Sequence, residues 1–273
     1  MAQTTIANYE KKLRFPDEQT LGRFADFFNV SLDYLMGRSR LEQDPGTLAL
    51  VARAEEAPIT EAARKYLDLL RANRPAEAEA FAQETVRTGA SIADLYLHVI
   101  EPALKETGRL WELGELHVGE EHAISLATQR IMSRVFAPPP APRGPDVPRC
   151  LLLAAPGEQH VIGATMICDL LRVDGWDVLF PGGNLGIRHV LQLVEEQGPR
   201  LVAISATMLE HGSAVADLVV AIRVRDSRRG LRILAGGQAF RSRAALWQEA
   251  GADATAPNAV SAVEAANRLI GRK

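Results

Sequence analysis

No stretch of this 273-residue chain is apolar for long enough to cross a bilayer, and its N-terminus has neither the basic start nor the hydrophobic run of a secretion signal. A membrane partner and export are therefore set aside, and a cytoplasmic location is expected. Cysteine is scarce. The two present, Cys150 and Cys168, both stand in apolar surroundings, which predicts buried free thiols rather than a disulfide or a metal pair. An excess of one charge is missing too: the formal net charge is −3, so composition gives no global nucleic-acid signal, although a small basic element can be masked by a larger acidic neighbour. There is no internal repeat. What is present, 47% hydrophobic and 24% charged residues, suits one to three domains with real cores.

Three segments follow along the chain. In residues 1–40, Ile6, Tyr9 and Leu13 form one short helical pattern and Leu21, Phe24, Ala25 and Phe28 a second, with Pro16-Asp17 between them. After a loose stretch around Asp44-Pro45-Gly46, residues 60–137 read as a helical bundle. Ile92, Leu95, Tyr96, Val99 and Ile100 trace one apolar face, and Ile124, Ala127, Ile131 and Val135 another. The run "APPPAPRGPDVPR", residues 137–149, is an extended, semi-rigid linker. Beyond it the period changes. Strand-like runs at 150–155, 177–181, 201–207 and 231–235 alternate with helical patterns at 161–173, 187–197, 214–225 and 241–249. This alternation predicts a Rossmann-like α/β domain over 150–273, a parallel sheet with helices on both faces.

The stretch "GEQHVIG" lies in the first βα turn of that domain, where α/β folds present chemistry outside the carboxyl ends of their strands. His160 there is a ligand, a base or a loop residue. Taken alone, Trp111 reads as a core aromatic, Glu121-His122 as a solvated helix start and His160 as a loop residue. His98, His189 and His211 carry no support for a role beyond a surface or supporting position.

Two resemblances organise these pieces. "RFPDEQTLGRFADFFNVSLDYLMGRS" resembles the Cro/repressor-like helix-turn-helix family, in which "AQTTIANYEKKLR" matches the recognition helix and its exit. That resemblance implies that Gln3, Thr4, Thr5 and Asn8 face bases or phosphates. The two preceding helices have no counterpart, because Met1 stands where the recognition helix begins. A start assigned too late, or truncation, produces this pattern, so DNA binding is expected only with the missing helices upstream. The second resemblance is to cobalamin-dependent photoreceptor regulators. It rests on "WELGELHVGEEH", where nine residues separate Trp111 from Glu121-His122, and on Glu158, His160 and Gly163 as the acidic-x-His-x-x-Gly turn. It rests also on "SAT", Ser205 to Thr207, and on Gly236-Gly237, at the ends of the third and fourth strands.

The cobalamin resemblance implies a role for each piece. His160 becomes the cobalt axial ligand, since imidazole suits cobalt. Glu158 accepts the proton on the other ring nitrogen and fixes the tautomer. Gly163 lets a helix start close to the corrin, Gly236 and Gly237 make way for the displaced nucleotide tail, and Ser205 and Thr207 hydrogen-bond its base or ribose. Trp111 shields the upper face, with Glu121 and His122 reaching an adenosyl group, so adenosylcobalamin is the expected form. One departure bears on light sensing. In the best-known photoreceptors a histidine directly follows the tryptophan and captures cobalt after photolysis; here Glu112 stands there, and His117 is the remaining histidine of that loop. A light-responsive transcriptional regulator, acting as a homo-oligomer and not as an enzyme, is the leading expectation. A corrinoid methyl carrier serving methyltransferases is the alternative, as is a module holding haem, a bilin beside the cobalamin, or no ligand.

Overall fold

The computed structural model describes residues 59–137, 139, 140, 142, 144, 146–226, 230–243 and 245–272, together with Thr20 and Leu21. The helix-turn-helix expectation over residues 1–40, with Gln3, Thr4, Thr5 and Asn8, lies outside the described residues apart from Thr20 and Leu21.

The first half is a helical cap. Helix α1 (Glu61–Arg71) starts at Thr60, whose hydroxyl accepts from the backbone N–H of Ala63 at 3.1 Å, and it buries Ala63, Tyr66, Leu67 and Leu70 at helical spacing. Helix α2 (Pro75–Arg87) opens on proline, whose missing N–H costs nothing in a first turn, and buries Ala78 and Ala82. Helix α3 (Ile92–Leu95) is nucleated by a capping box between Ser91 and Asp94. It runs through a π turn, Tyr96–Ile100, into α4 (Glu101–Glu112). The π turn has an identifiable cause. Pro102 has no N–H for the carbonyl one turn back, and His98 O is taken instead by the Thr60 hydroxyl at 2.7 Å. Helix α5 (Val118–Val135) closes the bundle. Tyr66 Oη donates to Thr128 Oγ1 at 3.2 Å inside it, and burial pushes the Tyr66 phenol up to about 12.

The second half is the parallel α/β domain. In chain order it comprises β1 (Arg149–Ala154), α6 (Ile162–Val173), β2 (Asp177–Leu179), α7 (Ile187–Gln197) and β3 (Leu201–Ser205). A 3-10 turn (Leu209–His211) leads into α8 (Gly212–Arg225), followed by β4 (Arg232–Gly236), α9 (Gln238–Ser242), α10 (Leu246–Glu249), β5 (Ala254–Ala256) and α11 (Ala259–Leu269). Among the described residues the five strands pair in parallel in the order β2-β1-β3-β4-β5. The two-residue period of the central strands feeds two cores. Leu151, Leu153, Val202 and Ile204 pack toward α7 and α8, while Cys150, Leu152, Leu201 and Ala203 pack toward α6 and α11. Both cysteines are buried free thiols.

Four expectations need correction. The strand expected over 177–181 ends at Leu179; the one over 201–207 ends at Ser205, because Thr207 turns aside to bind a side chain described below. The helix expected over 241–249 is two short ones, α9 and α10, with Arg243 extended between them. Sequence reading assigned no element after residue 249, where β5 and α11 lie.

The cap sits on α6 and α11. Its apolar core continues into Ile162, Met166, Leu170 and Ala259, and Arg241 approaches Glu101 across the seam at 3.4 Å. Within the seam Tyr96 Oη donates to Asp169 Oδ2 at 2.7 Å. Burial pushes the Asp169 carboxyl above its ordinary value, with the Tyr96 hydroxyl opposing that shift. An acid whose pKa is raised by folding contributes stability that is fully present below its unfolded pKa and is lost as pH rises through the folded value. Asp169→Asn keeps an acceptor for Tyr96 without a buried charge, so it should match or exceed the parent's thermal stability at neutral pH, with the gap closing on acidification below about 4. Tyr96→Phe strands the carboxylate and should cost about 2–3 kcal/mol at neutral pH. Thermal melts between acid and neutral pH check both.

Candidate functional site

In a 2-1-3-4-5 sheet the order in which strands are added reverses between β1 and β3, and the crevice outside their carboxyl ends is the fold's natural ligand position. Both flanking loops meet there on one side chain. Glu158 is fully buried yet ionised, and six N–H donors surround its carboxylate. Oε1 accepts from the backbone of Gln159 and His160, both at 2.9 Å, and from His160 Nδ1 at 2.5 Å. Oε2 accepts from the backbone of Thr207 at 2.8 Å and Met208 at 3.2 Å, and from His211 Nδ1 at 3.0 Å. Burial alone would raise this carboxyl; the donors, with His160 foremost, outweigh it and hold the group well below the usual carboxylate range.

A carboxylate only accepts, so the proton of His160 stands on Nδ1 and the Nε2 lone pair is free to bind. The His160 side chain is 54% exposed, while that of His211 is 17% exposed. Of two imidazoles on one carboxylate, His160 is therefore the one presented outward. Its pKa is raised, chiefly by the hydrogen bond to Glu158, against burial, with the charges of Glu158 and of Glu121 on the cap adding to the effect.

The expected cap residues divide. Glu121 Oε2 meets His122 Nδ1 at 2.5 Å, and its Oε1 accepts from Ser125 Oγ at 2.6 Å, so those two residues stand together at the start of α5. Trp111 is half-buried and packs on the cap's own core. Glu112 and His117 are exposed, and the His117 N–H donates to Glu120.

In the sheet domain Ser205 is buried, in register with Ala154 and Gly236. Thr207 acts here through its backbone N–H, on Glu158. Gly237 is glycine for the fold itself: its φ is +110°, and a Cβ there would stand 2.3 Å from Ala206 O. At Gly236 a Cβ would meet Ala256 O at 3.4 Å. Gly163 differs from these. A Cβ on it would have no neighbour within 4 Å, so its missing side chain leaves open space beside His160 on the first turn of α6. Sequence reading left His211 at a surface or supporting position, and the structure gives it the supporting one, on Glu158; it assigned no role to Gly183, where a Cβ would meet Glu158 O at 2.5 Å. The signal for His211 was its place in the loop after β3, facing the His160 loop.

The donor set discriminates among metals. Among the described residues no group of three or more His, Cys, Asp or Glu could cage a bare ion. One fixed imidazole beside open space suits instead a metal whose remaining positions are filled by a ring. The B12 binding domain family matches residues 148–266, and a second B12 binding domain matches residues 62–135. Together the two matches take in the cap and the sheet domain.

Cobalamin binding is the property these matches support, and the chain is also similar to individual proteins. Monomethylamine corrinoid protein 2 of Methanosarcina acetivorans is 24% identical over 196 residues, 69% of this chain and 88% of its own. The HTH-type transcriptional repressor CarH of Myxococcus xanthus is 28% identical over 151 residues, 55% of this chain and 49% of that protein. The solved monomethylamine corrinoid protein of Methanosarcina barkeri superposes with a TM-score of 0.66 at 21% identity, over 75% of this chain and 96% of that one, which shows a shared fold.

Within the matched sheet domain, Glu158 yields a pH prediction. A carboxyl whose pKa is lowered by folding contributes stability above its unfolded value, near about 4.3, and loses it as pH falls through the folded one. Glu158→Gln should cost about 3 kcal/mol at neutral pH, since its amide N–H group faces donors. The variant's deficit should shrink as the parent is acidified. Urea titrations of the apo protein across pH measure it.

Proposed function

We propose that the chain holds a base-off cobalamin with His160 Nε2 as the lower axial ligand of cobalt. The supporting observation is the outward imidazole whose tautomer is fixed by a buried carboxylate at the switch point. Glu158 holds the Nδ1 proton, Gly163 lets the ring plane approach, and the crevice bordered by Ser205, Thr207, Gly236 and Gly237 takes the nucleotide tail. Bound cobalamin supplies a cobalt–carbon bond that can be made and broken.

For the use of that bond we favour a corrinoid carrier of methyl groups, itself not the methyltransferase. The support is that the similarity to monomethylamine corrinoid protein 2 takes in 88% of that protein, cap and sheet domain together. A second reading, a cobalamin-dependent regulator that binds DNA as a homo-oligomer, draws on the resemblance of residues 1–40 to a helix-turn-helix and on the similarity to CarH. Adenosylcobalamin and the contacts of Trp111, Glu121 and His122 with it belong to that reading.

One experiment separates them. The protein is loaded with methylcobalamin or adenosylcobalamin, and spectrum, mass in solution and DNA retention are recorded in the dark and after green light. A histidine-on, base-off spectrum in both forms is expected, and its absence overturns the binding reading. Light-dependent mass or DNA retention with adenosylcobalamin favours the regulator. No light effect, with bound cob(I)alamin taking a methyl group from a donor and remaining on the protein, favours the carrier.

A further inference from the structure

Among the described residues two carboxylates are buried, and the fold treats them oppositely. Glu158 is surrounded by six N–H donors, whereas Asp169 has one hydrogen bond among the described residues, from Tyr96 Oη to Oδ2 at 2.7 Å. Burial with so little compensation favours the neutral acid. The Asp169 carboxyl is accordingly raised above its ordinary value, with the Tyr96 hydroxyl and the Arg172 charge opposing the shift. Arg172 is a distant counter-charge, since its Nη2 donates to Val178 O at 3.2 Å. No other cation is at hand. Cys168 beside it is a thiol pushed up to about 11, chiefly by burial, and α11 packs on α6 through Ala262, Ala265 and Ala266, while its Glu264 and Arg268 are exposed and face each other. On the cap side, His98 of the π turn is exposed, and Lys105 and Arg241 are both engaged by Glu101, at 2.9 Å and 3.4 Å.

This weakly held carboxylate lies on a boundary between two halves. Tyr96 belongs to the cap and Asp169 to α6, and the proline-rich run 137–149 tethers one half to the other. The cap also overlooks the ligand turn, since the charge of Glu121 acts on His160. We propose that Asp169 is a proton-operated latch: protonated, it lets the cap close on α6, and ionised, it favours an open arrangement in which the carboxylate meets water. The latch rests on the seam alone; its consequence for the cofactor rests on the reading of His160 as the cobalt ligand. A carboxyl whose pKa is higher in the closed state contributes closing free energy below its open-state value, near about 4, and loses it as pH rises through the closed-state value. Closing therefore takes up a proton. The other carboxylates act in the opposite sense, because protonating Glu101 releases Arg241 and Glu158 is stabilising only while ionised. Leaving a buried charged group short of partners shifts such an equilibrium about tenfold.

The test uses the full chain with one dye on the cap at Gln83→Cys and one on the sheet domain at Gln192→Cys, both exposed positions, while the native thiols are buried. Single-molecule energy transfer between about pH 4 and pH 8 reads the open-to-closed ratio, and circular dichroism at each pH separates opening from unfolding. In the parent the ratio should rise about tenfold from acid to neutral pH. Asp169→Asn should hold the acid ratio throughout. Tyr96→Phe, which removes the donor to the ionised form, should be more open than the parent at neutral pH and approach it in acid. A parent ratio that does not change with pH, or the same change in Asp169→Asn, overturns the proposal. At neutral pH, cobalamin should leave loaded Asp169→Asn about tenfold more slowly than the parent. Equal release beside the expected energy transfer leaves the latch standing and overturns its hold on the cofactor.

Discussion

Replacing His160 by alanine should abolish the histidine-on spectrum of bound cobalamin and weaken binding by about 100-fold, roughly 2.7 kcal/mol. The size follows from what the ring does. Glu158 fixes its proton on Nδ1, so Nε2 is a lone-pair donor with no hydrogen-bond partner among the described residues, and on the proposed reading its loss leaves cobalt a water or an empty position. The fold should be little affected, because the side chain is 54% exposed and Glu158 keeps five other donors. A binding isotherm, an electron paramagnetic resonance spectrum of the cob(II)alamin form and a thermal melt, taken together, separate loss of the ligand from loss of structure. Parent-like affinity and parent-like nitrogen splitting in a folded His160→Ala protein would sink the axial assignment.

The second large effect is structural. Gly237→Ala should destabilise the apo protein by about 4 kcal/mol, lowering its melting temperature by roughly 10 °C. The new Cβ would stand 2.3 Å from Ala206 O and 2.9 Å from Ala206 C, both backbone atoms. Ala206 has no room to retreat: its N–H donates to Gly236 O at 2.9 Å, and its carbonyl accepts from Ala239 N at 3.2 Å. The φ of +110° with ψ near 180° adds a backbone cost that only glycine escapes. Gly163→Ala is the informative contrast. With open space around its Cβ and a helical backbone, it should leave apo stability equal or up to about 1 kcal/mol higher while weakening cobalamin binding. Calorimetry of the two apo variants, with cobalamin titrations of the second, measures both effects.

The parts of the fold that could be read in the sequence are those where the pattern had contrast. Cys150 to Ala154 and Leu201 to Ser205 are near-continuous apolar runs, as strands buried on both faces must be, and the helices between them keep a 3.6-residue period. Helix α11 escaped notice because it buries Ala259, Ala262, Ala265 and Ala266, which scarcely stand out from their neighbours in hydrophobicity. Strand β5 has only Ala254, Thr255 and Ala256 to declare it. At the site, Glu158 and His160 entered through a resemblance, to the acidic-x-His-x-x-Gly turn of cobalamin-dependent regulators, which one short stretch of sequence can carry. The partner of His211, left at a surface or supporting position, could not be read there, since its link to Glu158 spans 53 positions and exists only once β1 and β3 lie side by side. Gly237 was read as clearance for a ligand, but its backbone geometry requires glycine in the bare protein.

Helix α6 carries the cap along its flank, through Ile162, Met166, Asp169 and Leu170, and carries the His160 turn at its head. Two equilibria thus share one rigid body, and thermodynamic reciprocity binds them. Suppose coordination by His160 favours the seated cap by some factor. Seating the cap must then favour coordination by that same factor, whichever event comes first. On that supposition Tyr96→Phe, made at the seam and not at the ligand turn, reports on coordination, and His160→Ala reports on the seam. On the proposed reading, whatever unseats the cap weakens the lower cobalt–nitrogen bond by the factor with which breaking that bond unseats the cap.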